Sequence, residues 1–149
     1  MARSATILLV EDDPDDAWLV CKAAQKTLLG IPVFVVPNGQ EAVRYLKGEG
    51  PYADRRAYPL PDIVLLDLDI PLLNGFEVLR WMREQPRLKR RPVVVLTGSI
   101  EDSDAARAYE AGANSYIIKP TDYRQLIETV RNLGDFWLGS ALLPEAGPQ

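Results

Sequence analysis

The chain contains no histidine and a single cysteine. Without histidine it carries no phosphohistidine, no Ser-His-Asp triad and no histidine zinc site. Cys21 has no partner for an internal disulfide, which suits a reducing cytoplasm. No apolar run approaches the roughly 20 residues that span a bilayer. The opening Met-Ala-Arg-Ser-Ala-Thr leads straight into a short apolar segment, without the apolar stretch and small-residue cleavage site of a secretory leader. Positive charge is not in excess. Seventeen Lys and Arg stand against 21 Asp and Glu, a formal net charge of −4, so no nucleic-acid partner is expected. These absences point to a cytoplasmic protein, off the membrane. Its chemistry must rest on carboxylates, hydroxyls and lysine.

What is present is patterned. The length of 149 residues suits one core, and 47% hydrophobic residues is ordinary for a globular chain. Five short apolar runs stand out: Thr6–Val10, Val33–Val36, Ile63–Leu66, Val93–Leu96 and Tyr116–Ile118. They are β-branched and continuous rather than alternating, the mark of strands covered on both faces. Each is followed by a helix-start signal: Asp13 before Pro14 with Asp16 three on, then Asn38 and Glu41, Asn74 and Glu77, Ser99 and Asp102, Asp122 and Gln125. The last helix repeats Tyr123, Leu126, Ile127, Val130, Leu133 and Trp137 on one face. The expectation is an α/β fold, a (βα)5 doubly wound parallel five-stranded sheet. Gly48–Pro61 reads as a long loop, and Leu138–Gln149 as a tail that frays.

In such sheets function gathers beyond the carboxyl ends of the strands. Glu11 and Asp12 follow the first strand, Asp67 and Asp69 the third, Thr97 the fourth and Lys119 the fifth. Only turn and cap residues, Pro37 and Asn38, follow the second, which fits strand order 2-1-3-4-5 with strand two at an edge. Three carboxylates at one point need a cation, and an all-oxygen site suits Mg²⁺. A carboxylate beside such an ion can attack a phosphoryl group and form an acyl phosphate. Lys119 and the Thr97 hydroxyl would stabilise the transferring group. Asp13, Asp15 and Asp16 read as cap and helix-dipole residues. Cys21, Trp81 and Met82 read as helix packing.

Four stretches, ILLVEDDP (Ile7–Pro14), DIVLLDLDIPLLNGFEVL (Asp62–Leu79), PVVVLTGS (Pro92–Ser99) and AGANSYIIKP (Ala111–Pro120), resemble the CheY-like receiver domain of two-component response regulators. The resemblance runs from about Thr6 to Trp137. It implies a flavodoxin/CheY-like fold with Asp67 as phosphoacceptor. Asp12 is then a direct Mg²⁺ ligand, Glu11 acts through water, and the Asp69 backbone carbonyl is a further ligand. Thr97 matches the switch hydroxyl, Lys119 the phosphoryl-pairing lysine before a typically cis Pro120, and Tyr116 the aromatic that swings inward. The implied donor is a sensor histidine kinase.

The long loop before the third strand and the ending around Phe136 and Trp137 resemble the small regulators of phytochrome-type kinases. Residues 1–137 are expected to form the receiver domain and 138–149 a tail touching a partner or dimer mate, with no output domain. A homodimer through the fourth helix, fifth strand, fifth helix and tail, with Leu142, Leu143 and Pro144, is expected from the apolar helix end. Asp69, a carboxylate where neutral residues are also common, and Gly98 are expected to tune dephosphorylation.

Rival patterns fit less well, a pseudo-receiver scaffold among them because the acidic residues are intact. Haloacid-dehalogenase phosphatases also carry a DxD like Asp67-Leu68-Asp69, but after their first strand. A flavin or dinucleotide binder would need glycines where Glu11-Asp12-Asp13-Pro14 stands.

Overall fold

A computed structural model describes residues 5–28 and 30–140, the side chain of Ser140 excepted. Five strands, β1 (Ile7–Val10), β2 (Val33–Val36), β3 (Ile63–Leu66), β4 (Val93–Thr97) and β5 (Ser115–Ile118), alternate with five helices. The helices are α1 (Pro14–Thr27), α2 (Gly39–Lys47), α3 (Gly75–Glu84), α4 (Asp102–Ala111) and α5 (Tyr123–Leu133). All strand pairs are parallel, in the order β2-β1-β3-β4-β5. The expected architecture is therefore the observed one.

Alternate residues of each strand feed opposite sides of the sheet. Leu8, Val10, Val64, Leu66 and Val93 pack with Tyr45, Leu46, Val78, Leu79 and Met82 from α2 and α3. Ile7, Leu9, Leu65, Val94 and Leu96 pack with Val20, Ala24, Leu126 and Val130 from α1 and α5. Cys21 lies half-buried beside this second cluster. The central strands β1 and β3 are buried throughout, whereas the edge strands β2 and β5 are only partly covered.

Four of the five helix starts behave as the sequence predicts. Asp13, Asn38, Asn74 and Asp122 are N-caps whose side chains accept backbone amides, and Asn74 with Glu77 forms a reciprocal capping box. The fifth differs. Glu101 sits at the N-cap of α4 without a side-chain bond. Ser99 instead donates to Asp104 at 2.6 Å and accepts from the Glu101 amide at 3.3 Å. Its hydroxyl ties the loop to the first turn of α4 rather than capping it.

The segment before β3 is ordered by distant contacts. It contains a short 3-10 turn, Gly50–Ala53. Tyr45, Tyr52 and Tyr58 pack ring against ring, with Phe34 beside them. The Arg55 guanidinium donates to the carbonyls of Tyr45, Leu46 and Tyr58 at 2.9, 2.9 and 3.1 Å, which satisfies the end of α2. Beyond α5 the chain keeps winding, in wider turns, through Gly134–Ser140, and Trp137 and Leu138 pack on the core. Leu142, Leu143 and Pro144 lie outside the described residues. No cis peptide bond occurs among the described residues, so the Lys119–Pro120 bond is trans, contrary to expectation. The two isomers of an X–Pro bond differ by only about 0.5–1 kcal/mol, so the local sequence does not decide between them.

Candidate functional site

Strand register assembles the site. Val10 pairs with Leu66, and the next residues, Glu11 and Asp67, emerge side by side at the carboxyl end of the sheet. Thr97 ends β4 opposite Ile118, so Lys119 follows directly, and its amide donates to the Thr97 carbonyl at 2.6 Å. Asp67 is held by its own amide, which donates to Val10 at 3.1 Å. The start of α3 presses on it closely enough that only glycine fits at position 75.

An open cleft of about 640 Å³ lies above these ends. Glu11, Asp12, Asp67, Asp69, Thr97 and Lys119, all singled out from the sequence, line it. Glu11, Asp67 and Thr97 are buried, while Asp12 and Asp69 are exposed. Carboxylate oxygens of Glu11, Asp12 and Asp67 lie within 4.8 Å of one another. Such an all-oxygen, strongly negative donor set fits a hard divalent cation.

One ammonium answers this charge. Lys119 Nζ lies 2.5 Å from Glu11 Oε1, 2.9 Å from Asp16 Oδ2 and 3.4 Å from Asp67 Oδ2. The second Asp67 oxygen accepts from the Asp69 amide at 3.3 Å, and the second Glu11 oxygen from the Asp13 amide at 3.2 Å. Burial pushes the Glu11 carboxyl up to about 7, although its bond to Lys119 pulls the other way. Burial alone would depress the Lys119 ammonium. Its bonds to Glu11 and Asp16 outweigh that and hold it above the ordinary lysine value.

Tyr116, on β5, lies half-buried against Leu68, Phe76, Val95 and Ala108. Its hydroxyl donates to the Ser99 carbonyl at 3.0 Å. Gly98 is exposed and leaves the approach open, with nothing within 4 Å of where a Cβ would stand. Among the charged cleft residues that sequence reasoning missed are Asp16 and Arg107. Asp16 looks like a dipole charge in the first turn of α1 yet reaches Lys119. Arg107, from α4, lies over the Phe76 ring at 3.9 Å and reaches the cleft wall. Nothing local marks either one, since each depends on a partner distant in the chain.

A family model of the response regulator receiver domain matches residues 7–131. The chain belongs to that family. It is a receiver domain of the two-component response regulators, a class that works with sensor histidine kinases. It is 36% identical over 140 residues to the response regulator Rcp1 of the cyanobacterium Synechocystis, covering 94% of this chain and 93% of that protein. The crystal structure of the phosphorylated cyanobacterial phytochrome response regulator RcpA superimposes with a TM-score of 0.89 at 39% identity, covering 96% of this chain and all of the other. The Mn²⁺-bound form of Rcp1 superimposes with a TM-score of 0.83 at 35% identity, over 94% of this chain and 99% of that one. The metal-bound relative and the carboxylate cluster together suggest a divalent metal site in this receiver. No helix among the described residues is long and apolar enough to cross a membrane.

Proposed function

We propose that this receiver takes a phosphoryl group on Asp67 from a sensor histidine kinase of the phytochrome type and thereby switches a protein-binding face. The observation that carries the reading is the placement of the Asp67 carboxylate. It stands at the end of a central strand, inside a group of three carboxylates, with a lysine ammonium 3.4 Å away. An Asp67 oxygen attacks the phosphorus of the donor's phosphohistidine. The new O–P bond forms as the P–N bond breaks, and the imidazole leaves with the bonding pair. Water later attacks the same phosphorus, releasing inorganic phosphate and restoring the carboxylate. The chain acts as a signalling protein, and its catalysis is confined to its own phosphorylation and dephosphorylation.

The metal is taken to be Mg²⁺. Asp12 and Asp67 would hold it directly, the Asp69 backbone carbonyl would add a further ligand, and Glu11 would act through water. When bound, the ion neutralises charge on the phosphoryl oxygens. Thr97 supplies a hydroxyl to one of those oxygens, and Lys119 supplies a charge-assisted bond to another. Tyr116, tied to the loop after β4, carries the change to the face formed by α4, β5 and α5. That face exposes Tyr109 and Ile118, and Phe136 is exposed just beyond α5, which supports a homodimer there, completed by the tail. A cytoplasmic location follows from the kinase partner.

The deciding experiment is incubation with acetyl phosphate and Mg²⁺, followed by intact mass. Wild type gains one phosphoryl group and Asp67→Asn gains none. A wild type that stays unmodified overturns the reading. Sedimentation tests the dimer, which a monomer with and without a phosphoryl mimic would refute.

A further inference from the structure

Lys119 has three N–H donors, and the structure gives each a carboxylate. The shortest contact, 2.5 Å, goes to Glu11. The second, 2.9 Å, goes to Asp16. The longest, 3.4 Å, goes to Asp67. The residue read as phosphoacceptor therefore has the weakest hold on the ammonium, and a residue from α1 has a stronger one. Asp16 is placed for this by its own backbone. Its amide and that of Asp15 both donate to Asp13 Oδ1, at 3.3 and 2.8 Å, which fixes the first turn of α1 beside the cleft.

The three partners differ in how easily they release the lysine. The Glu11 side chain is 2% exposed and that of Asp67 10%, whereas Asp16 is 37% exposed. A solvated carboxylate loses little when its ion pair breaks, because water replaces the partner. A phosphoryl group on Asp67 would bring close to two negative charges within reach of the ammonium, against one on Asp16. We propose that Asp16 is a positioning residue that holds Lys119 in the resting state and gives it up when Asp67 carries a phosphoryl group. The proposal rests on the reading of Asp67 as phosphoacceptor. Asp16 thereby sets how readily the phosphorylated form is reached, without touching the reacting atoms.

The sign of the effect follows from linkage. An interaction present only in the resting state opposes conversion to the phosphorylated state, and its removal favours conversion. Beryllofluoride with Mg²⁺ serves as a noncovalent phosphoryl mimic and gives an equilibrium constant directly. Asp16→Asn should bind it about two- to fivefold more tightly than wild type, the range for a partly exposed ion pair. Asp15→Asn removes the same charge one residue away, in the same turn but without contact to Lys119, and should bind as wild type does. In a Lys119→Met background the Asp16→Asn effect should vanish, because the coupling runs through the lysine. Asp16→Asn binding equal to wild type overturns the proposal. So does an equal gain in Asp15→Asn, or a gain that persists in the Lys119→Met background, since either assigns the effect to bulk charge. Failure of the phosphoacceptor reading looks different: wild type itself would neither bind beryllofluoride nor gain mass from acetyl phosphate, and the proposal would fall with it.

Discussion

Replacing Gly75 by alanine tests how tightly the scaffold seats the phosphoacceptor. Gly75 is the first residue of α3, directly after the Asn74 cap. A Cβ there would stand 2.5 Å from the Asp67 carbonyl oxygen and 2.7 Å from Leu68 Cα. Ordinary contact begins near 3.4 Å, so the backbones must part by roughly 0.9 Å, the difference between 3.4 and 2.5 Å. The atoms in the way are main chain, so no flexible side chain can yield. Asp67 is pinned by its amide bond to Val10, and the Gly75 amide is bonded to the Leu68 carbonyl at 3.0 Å. Either α3 swings out and strains its capping box, or Asp67 moves.

Overpacking of this kind costs about 1–3 kcal/mol, and damage to the cap adds up to ~1 kcal/mol. Alanine's better helix propensity returns at most about 1 kcal/mol. The net expectation is a loss of roughly 1–3 kcal/mol. A shift of ~1 Å in a reacting group can slow its chemistry by up to about 100-fold. Gly98→Ala is the matched control: a Cβ there meets nothing within 4 Å, so stability should change by less than about 0.5 kcal/mol. Urea unfolding gives the first quantity, and the rate of mass gain from acetyl phosphate gives the second. A Gly75→Ala protein that is as stable as Gly98→Ala and phosphorylates at the wild-type rate would refute the reasoning.

Two further outcomes are expected. Tyr45 is 1% exposed, and burial pushes its hydroxyl up to about 12 from the usual 10. Because the folded value is the higher one, this stability is intact below pH 10 and disappears as pH rises through 12, a loss of roughly 3 kcal/mol. Tyr45→Phe loses the bond to the Pro59 carbonyl but should show a flatter alkaline fall in urea midpoint; parallel profiles would refute the assignment. Asp69→Asn removes one exposed charge beside the acyl phosphate, worth about 1 kcal/mol across ~4 Å of water. The phosphorylated lifetime should lengthen about fivefold; an unchanged lifetime in a phosphate-release assay would reject a role for that carboxylate, and a shorter one would reject the repulsion argument.

Where local chemistry decides structure, the sequence could be read closely. β3 matches its apolar run residue for residue, because a strand covered on both faces must be apolar along its whole length. Ser99 departs from its expected cap for the opposite reason. Its spacing to Asp102 imitates a capping box, yet the chain folds so that Asp104 lies nearer its hydroxyl. The segment from Gly48 to Pro61 reads from the sequence only as a long loop, since its order comes from Tyr45, Phe34 and the forked Arg55, which no short window shows together. The trans bond before Pro120 is a choice between nearly equal states, so no residue there could announce it.

The same division runs through the site. Which residues meet there was legible, because a buried parallel strand can place polar side chains only past its end, and register then brings neighbouring ends together. A one-residue slip of β1 against β3 would turn Leu8 and Val10 toward the α1–α5 side and carry Glu11 away from Asp67, so the apolar core and the carboxylate cluster enforce a single register between them. How the charges pair within the cluster is a different matter. Lys119 reaches across 103 residues to Asp16 and 108 to Glu11, and the choice among carboxylates depends on differences of a few tenths of an ångström. Strand ends are set by hydrophobic burial of many residues, which a substitution at one polar position leaves intact. The pairing of Lys119 is set by three contacts, two to buried carboxylates and one to the partly exposed Asp16. A receiver built this way can keep its sheet unchanged while the lysine exchanges partners, and the exchange costs little because its most exposed partner, Asp16, is the one water can replace.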